Sequence, residues 1–227
     1  GKVVHILGYF INPEDEALQQ HFARVQAHDR QITGLVLEAF QRACHTEKQL
    51  DFNLSDLEAD SLHTFYSMQL VRRLAATVYV DHPKTLLPAF LHHLDDLGLT
   101  YADLAPWPVR NAVDLIHSAG GIAVLAHPGG RTDQVMQTLG FLWHDEPFIQ
   151  MYAEWGLDGI ETRTPVHTDA EQHYYEELSS RHNLLATSGS DCHGDDPYLG
   201  PALMGHFQNL YDGLYKDMLQ AVEKRHS

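Results

Sequence analysis

The amino-acid sequence predicts an α/β protein built on a mainly parallel sheet or barrel. After residue 108, short apolar runs typical of strands alternate with segments of helical periodicity, and this alternation indicates parallel strands covered by helices. Two of those runs end in polar turns that contain glycine. In parallel α/β folds the catalytic and ligand-binding residues lie on the loops that follow the strands, so these turns are the first candidates for a functional site.

The first element is predicted to be a buried strand. The run from Val3 to Ile11 is rich in β-branched and aromatic residues and ends at Asn12 and Pro13, which together indicate a strand that stops at a turn. Asn12 is predicted to cap a following helix, with Pro13 at its first position, because the three acidic residues after Pro13 then lie at the positive end of the helix dipole. This helix is predicted to end near His45.

The rest of the chain divides into a helical middle and a βα-rich end. We expect residues 1–49 to supply one strand and one long helix of the core, residues 50–108 to form a helical insertion, and residues 109–227 to supply the remaining βα units of the core. The predicted elements of the last segment are helix 109–119, strand 122–126, helix 132–142, a helix near 148–155, strand 158–162, a helix that begins with a capping-box pattern at Thr168, strand 184–188 and helix 207–224.

Composition narrows the classes of function. The 227 residues carry a formal net charge of −16, which disfavours an extended nucleic-acid surface because such surfaces depend on basic side chains. A small phosphorylated substrate or a strand end could still be attracted by bound metal ions.

No apolar run approaches the roughly 20 residues that cross a bilayer, and no secretory leader pattern is found, so we expect a cytoplasmic protein without a membrane partner. The two cysteines cannot form a disulfide framework, which fits a reducing compartment.

Residues 122–130 are predicted to form a buried strand that places His127 at its carboxyl end. A histidine at this position can bind a metal ion, or it can simply form a hydrogen bond within the loop, and this segment alone leaves both interpretations open.

Residues 184–194 form a second strand that runs into a polar turn with Asp191 and His193. In extended backbone these two side chains project to the same side, so they can approach one cation together. The alternative is an Asx-type turn with an exposed histidine. Neighbouring parallel strands bring the loops at their carboxyl ends to one pocket. Histidines at the ends of two such strands therefore favour a metal site more strongly than either histidine does alone.

Four blocks of the sequence resemble the PHP (polymerase and histidinol phosphatase) superfamily, and in particular its bacterial TrpH-like phosphoesterase branch. The blocks are VHILGYF at residues 4–10, the run of residues 112–130 that contains LIHSAGG and AHPG, GLDGIE at residues 156–161, and GSDCHG at residues 189–194. The resemblance implies a distorted (β/α)7 barrel with a helical insertion. It also implies that His5, His127, Asp191 and His193 are metal ligands.

The resemblance further implies an activity. A PHP-type enzyme would hold two or three divalent ions and hydrolyse phosphate esters, here of nucleotides or of the 5′ ends of short oligonucleotides. Mixed histidine and aspartate ligation suits zinc, manganese or iron better than magnesium. Substrate-binding candidates are Arg131, Glu161 and His167, and no catalytic acid or base is assigned.

Each of these three candidates has a second interpretation. Arg131 could hold a phosphate through its planar donor fork, or be a solvated residue at a helix start. Glu161 could face the site, orient its neighbours or pair with Arg163, and His167 could approach the pocket or serve its own loop. The other histidines on predicted helices, at positions 92, 93, 117, 173 and 182, are assigned to the surface or to packing.

The sequence also departs from the family pattern. Family members have an HxDxHxHS strand, a TDH block and a glutamate before the VHILG block, and this sequence contains none of them. We therefore expect an N-terminally incomplete barrel that is impaired or inactive on its own. The alternatives are another metallohydrolase, such as a histidinol-phosphate phosphatase or an amidohydrolase, and a degenerate, non-catalytic PHP-like binding module.

Overall fold

The computed structural model describes residues 3–43, 52–58, 66–78, 87–104, 106–129, 143–191 and 212–226. The chain divides into two compact units, which we call the sheet unit (residues 2–19 and 107–227) and the helical unit (residues 20–106). In chain order the described elements are β1 (Ile6–Tyr9), α1 (Glu16–Ala43), α2 (Leu54–Glu58), α3 (Tyr66–Val78), α4 (Leu87–Asp96), a 3-10 helix (Tyr101–Leu104), α5 (Val109–Ser118), β2 (Ile122–Leu125), α6 (Glu146–Glu154), β3 (Gly159–Arg163), α7 (Asp169–Arg181), β4 (Leu185–Ser188) and α8 (Leu214–His226).

The described strands form one four-stranded sheet in the order β1-β2-β3-β4. β2, β3 and β4 are parallel, whereas β1 is antiparallel to β2, with Ile6 opposite Leu125 and Tyr9 opposite Ile122. The predicted α/β class is confirmed. The direction of β1 was not predicted, and it means that the residue before β1 lies at the same end of the sheet as the residues after β2.

The core of the sheet unit lies between the sheet and helices α5, α6 and α7. Every residue of β2 is fully buried, as expected for a strand covered on both faces. The buried residues of this core are Val113, Ile116, Ala123, Leu125, Ile149, Tyr152, Leu157, Ile160, Tyr175 and Leu178.

The helix starts show one confirmed prediction and one that is wrong. Thr168 and Glu171 form the predicted capping box at the start of α7. The predicted cap at Asn12 is wrong, because its side chain accepts the N–H of Glu14 at 3.1 Å in a local turn, while Asp15 accepts the N–H of Leu18 at 2.9 Å and caps α1 three residues later. Asp and Asn are similarly good N-caps, so the local pattern did not distinguish them.

The described part of the helical unit consists of helical segments with their own apolar core. A buried carboxylate lies within it: Asp29 of α1 accepts the backbone N–H of Tyr66 at 2.5 Å, at the start of α3. Burial raises the pKa of Asp29, although hydrogen bonds from Ser67 and Tyr66 oppose that shift. The predicted helix 132–142 lies outside the described residues.

None of the described helices combines the length and the apolarity that crossing a membrane requires.

Candidate metal centre

Three of the predicted metal ligands meet at one end of the sheet, which we call the carboxyl end because β2, β3 and β4 end there. His127 follows β2, and Asp191 lies three residues beyond β4. His5 comes immediately before β1, which runs in the opposite direction, and its carbonyl accepts the N–H of Ala126 at 3.0 Å. The antiparallel pairing of β1 is therefore what brings His5 to the other two residues.

The ring nitrogens of the two histidines converge. Nδ1 of His5 lies 3.1 Å from Nε2 of His127, although the residues are 122 positions apart in the chain. The two rings meet edge to face at an interplanar angle of 81°. Oδ1 of Asp191 lies 3.9 Å from the same Nε2 of His127. His127 is buried and His5 is exposed, so the pair lies at the surface of the sheet unit with one side toward solvent.

Both His127 and Asp191 have left-handed backbone conformations, with φ of 28° and 51°. Residues other than glycine rarely adopt positive φ, and such conformations persist where the surroundings hold them. The turn at His127 is held by Glu161, whose Oε2 accepts the backbone N–H of His127 at 2.9 Å.

The carboxylate of Glu161 lies so close to the backbone of Gly189 that a side chain at position 189 would collide with it. It is 3 % exposed, and a Cβ atom added to Gly189 would lie 1.9 Å from its Oε1. The carboxylate therefore bridges the turns that follow β2 and β4. Its charge and, more strongly, burial raise the pKa of Tyr9. Arg163 does not pair with Glu161, since its Nε donates to Glu176 at 2.6 Å.

His167 supports the same turn from another direction. Its Nδ1–H donates to the carbonyl of Thr162 at 2.8 Å, and its Nε2 accepts the N–H of Gly129 at 3.1 Å. Burial lowers the pKa of His167, with the hydrogen bond to Thr162 in opposition. Because both ring nitrogens bind backbone groups, the structure places His167 as a positioning residue, and direct contact with substrate stays a prediction.

Tyr175 was missed by the sequence analysis. It is fully buried, and its hydroxyl lies 2.9 Å from the carbonyl of Pro128 and 3.1 Å from that of His144. Its ring stacks on His167 with centroids 5.2 Å apart. The signal in the sequence was its position on the apolar face of the helix predicted from Thr168, which indicated only packing. Glu161, His167 and Tyr175 together hold residues 127–129 in place.

The converging nitrogens fit adjacent ligands of one metal ion. Zinc binds imidazole nitrogen at about 2.0–2.1 Å, which in a tetrahedral site places neighbouring ligand atoms about 3.3–3.4 Å apart, and the His5 to His127 distance of 3.1 Å is within a few tenths of an ångström of this separation. Without a cation, the same contact is a hydrogen bond between one protonated and one unprotonated ring nitrogen. Across the described ranges, no set of three or more His, Cys, Asp or Glu side chains is arranged to hold a metal ion. His193 and Arg131, two further candidates, lie outside the described residues.

A second histidine and aspartate pair lies at the opposite, amino end of the sheet. His117, which was assigned to the surface or to packing, belongs to this pair: its Nε2 lies 2.8 Å from Oδ2 of Asp158. Arg225 of α8 contacts Oδ1 of Asp158 through two guanidinium nitrogens and lies 3.1 Å from Nδ1 of His117. Since arginine can only donate, His117 accepts at Nδ1 and donates from Nε2 to Asp158.

The carboxylate of Asp158 is fully engaged in this cluster. It also accepts the backbone N–H of Ala123 at 2.8 Å. Burial by itself raises the pKa of Asp158, but the hydrogen bonds from His117, Arg225 and Ala123 outweigh it, and the pKa is lowered overall.

Comparison with known proteins identifies several relatives. No family model matches the sequence. The chain is 35 % identical over 97 residues to the phosphoribosyl 1,2-cyclic phosphate 1,2-diphosphodiesterase of Eggerthella lenta, a match that covers 43 % of this chain and 32 % of that protein. It is 35 % identical over 102 residues to the 3′,5′-nucleoside bisphosphate phosphatase of Chromobacterium violaceum, covering 45 % and 33 %. These matches span about a third of the length of each relative.

A longer match extends over most of the chain. The chain is 33 % identical over 199 residues to the 5′-3′ exoribonuclease Rnm of Salmonella typhimurium, covering 86 % of this chain and 62 % of that protein. The three relatives are named as a diphosphodiesterase, a phosphatase and a ribonuclease. They confirm the resemblance to PHP-type phosphoesterases that the four sequence blocks predicted.

Two solved structures show the same fold. One, from Bifidobacterium adolescentis, is assigned as a metal-dependent phosphoesterase; it aligns with a TM-score of 0.65 at 18 % identity and covers 98 % of this chain and 71 % of that one. The other, described as an amidohydrolase from Chromobacterium violaceum with bound sulfate and no metal, aligns with a TM-score of 0.60 at 22 % identity and covers 98 % and 72 %.

Proposed function

From the premise that the chain is similar to PHP-type phosphoesterases, we propose that it contributes the metal-binding core of an enzyme that hydrolyses phosphate esters. The observation that carries this proposal is the convergence of His5 and His127 at 3.1 Å across 122 residues of sequence. Two imidazole nitrogens in contact, with the Asp191 carboxylate 3.9 Å from one of them, supply ligand types that a divalent cation uses, and this supports the proposal.

The residues at the carboxyl end of the sheet have separate tasks in this proposal. His5, His127, Asp191 and His193 hold two or three divalent ions, with zinc, manganese or iron favoured by the mixed ligands. Glu161, through its hydrogen bond to the N–H of His127, keeps that imidazole aimed at its partner. When bound, the metal supplies Lewis-acid polarisation of the phosphate ester and a water of lowered pKa.

The substrates that we propose are nucleotides or the 5′ ends of short oligonucleotides. The curated relatives are named for nucleotide and RNA chemistry, and the net charge of −16 disfavours a long nucleic-acid footprint. Arg131 is proposed to hold the substrate phosphate. We further propose that the sheet forms part of a distorted (β/α)7 barrel, and that the protein acts in the cytoplasm.

The proposal is tested first by metal content. The purified chain is expected to retain zinc, manganese or iron in elemental analysis, and His5→Ala and Asp191→Asn are each expected to reduce that content while the far-UV circular dichroism stays unchanged. Asn is chosen at position 191 because it tolerates the left-handed backbone found there. Tyr215→Ala is the matched control, since Tyr215 is 67 % exposed and belongs to α8.

The second test is a substrate panel with manganese or zinc added. Release of phosphate from AMP or from a 5′-phosphorylated oligonucleotide supports the proposal. Preferential cleavage of histidinol phosphate or of amides would assign the site to one of the other metallohydrolase classes. A folded chain that neither holds metal nor turns over any ester would overturn the proposal in favour of a non-catalytic PHP-like binding module.

A further inference from the structure

An exposed tryptophan lies beside the turn that carries His127. Trp143 is 43 % exposed, one of the few large apolar side chains among the described residues with such exposure. A Cβ atom added to Gly129 would lie 3.3 Å from Cζ3 of Trp143, so the backbone of Gly129 lies against the indole ring. Gly129 is two residues from His127, which limits the separation of their Cα atoms to about 7 Å.

The indole ring is backed by two tyrosines. Its centroid lies 5.5 Å from those of Tyr174 and Tyr175, at interplanar angles of 32° and 41°. Tyr175 is the buried residue whose hydroxyl binds the carbonyl of Pro128. The side chain of Tyr175 therefore contacts both the turn of the candidate metal centre and the exposed ring of Trp143.

We propose that Trp143 is a stacking platform for the base of a nucleotide whose phosphate lies at the His5 and His127 pair. An aromatic ring that packs on other side chains and keeps part of its surface exposed can stack on any base, because every base has a π face. Trp143 contacts Gly129, and the Cα atoms of Gly129 and His127 are at most about 7 Å apart, so the ring lies against the turn that carries His127. This inference rests on the proposed function, and it specifies that the protein recognises the base of the substrate in addition to its phosphate.

Among the residues of the sheet unit that the structure describes, the other large exposed aromatic side chains are Phe10 and Tyr215. Phe10 and Tyr215 contact each other with centroids 5.9 Å apart, but Phe10 follows the last residue of β1 and so lies at the amino end of the sheet. They serve as an internal comparison, because a general effect of removing exposed aromatic surface would appear at both ends.

The test is calorimetric binding of AMP and of ribose 5-phosphate to the full chain in the presence of manganese, for the native sequence, Trp143→Ala, Trp143→Tyr and Tyr215→Ala. Loss of one stacked base weakens binding by about 1–3 kcal/mol. We expect the ratio of AMP affinity to ribose 5-phosphate affinity to fall at least about fivefold in Trp143→Ala. Trp143→Tyr is expected to restore most of the ratio, and Tyr215→Ala to leave it unchanged.

The outcomes separate this inference from the proposed function. If the affinity ratio of Trp143→Ala equals that of the native chain while AMP is hydrolysed, the platform is wrong and the phosphoesterase stands. If the ratio falls as expected but the native chain neither retains metal nor hydrolyses any ester, the platform stands and the catalytic proposal fails. A ratio that falls equally in Tyr215→Ala would also overturn the platform, because the effect would then not depend on position.

Discussion

The two ends of the sheet contain the same residue types in opposite arrangements. At the amino end, His117 and Asp158 form a closed cluster in which Arg225 and the N–H of Ala123 complete the hydrogen bonds. At the carboxyl end, the nitrogens of His5 and His127 contact each other at 3.1 Å, and the nearest carboxylate that the structure gives is Asp191, 3.9 Å from His127. A histidine near an aspartate is therefore not by itself a metal site, since the surrounding donors decide its role.

Backbone conformation distinguishes the two histidine and aspartate pairs, although not the two ends as a whole. His127 and Asp191 have positive φ, as do Phe10 and Asn183 near the amino end, while His117 and Asp158 are not among the described residues with that conformation. Strained backbone tends to occur where function needs a fixed side-chain direction. We therefore expect His117 and Asp158 to matter mainly for stability and the residues at the carboxyl end mainly for metal binding, and mutation can test this contrast.

The largest expected effect is on stability at the amino end. Asp158→Ala removes the acceptor of His117, Arg225 and Ala123 and leaves the part-buried His117 and the buried N–H of Ala123 without it, so we expect the free energy of unfolding to fall by about 2–3 kcal/mol. Denaturant unfolding measures this change. At the other end, Asp191→Asn is expected to change stability by less than about 0.5 kcal/mol while reducing metal content. Equal losses of stability at the two positions would contradict the division of roles.

The next effect concerns Gly189. Adding a methyl group in Gly189→Ala drives Cβ into Oε1 of Glu161, so we expect a loss of about 1–3 kcal/mol in stability. Displacement of Glu161 releases the N–H of His127, and we expect metal affinity to fall about 10- to 100-fold. Gly34→Ala in α1 is the control, since its added Cβ meets only Leu54 at 3.4 Å and should stabilise the helix slightly. Metal affinity unchanged in Gly189→Ala would refute a role for Glu161 in holding the turn.

A smaller effect appears in the pH dependence of stability. The pKa of Asp158 is lowered in the fold, so its contribution is present above the ordinary aspartate value of about 3.9 and is lost as pH falls through the folded pKa. In thermal unfolding scans below about pH 5, Asp158→Asn should show a shallower rise of stability with pH than the native chain.

Asp29 of the helical unit is expected to change the pH dependence of stability in the opposite direction. Burial raises its pKa, so its contribution is fully present below the ordinary value and is lost as pH rises through the folded pKa. Asp29→Asn should therefore make the rise of stability with pH steeper. Slopes that change in the same direction for both variants would be inconsistent with these environments.

The smallest effect is expected at Tyr175. Tyr175→Phe removes the hydroxyl that donates to Pro128 and His144, and we expect a loss of about 1 kcal/mol in the free energy of unfolding. Tyr215→Phe, which changes an exposed ring, should be neutral within the error of the same measurement. A Tyr175→Phe variant as stable as the native chain would show that this hydroxyl does not hold the turn.

Local sequence patterns predicted part of the fold and of the site. The uninterrupted apolar run of β2 and the capping box at Thr168 indicated their elements directly, because both signals depend on neighbouring residues. His127 and Asp191 could be placed at strand ends for the same reason. A role of His167 in its own loop was one of its two interpretations, and its bond to Thr162 fits it, but its bond to Gly129 and the supporting role of Tyr175 could not be predicted, since those partners lie in other elements.

The sequence by itself determined that βα units end in histidine and aspartate turns, because helical and strand periodicities are written in residues close together in the chain. For His5 the residue pattern alone was silent: the family resemblance implied that it joins them, and the tertiary structure decided how it does so. A parallel β1 would have placed His5 at the amino end of the sheet, and its antiparallel pairing with β2 instead sets it 3.1 Å from His127. The direction of β1 relative to β2 depends on the packing of segments more than a hundred residues apart, and short-range sequence patterns do not predict that direction.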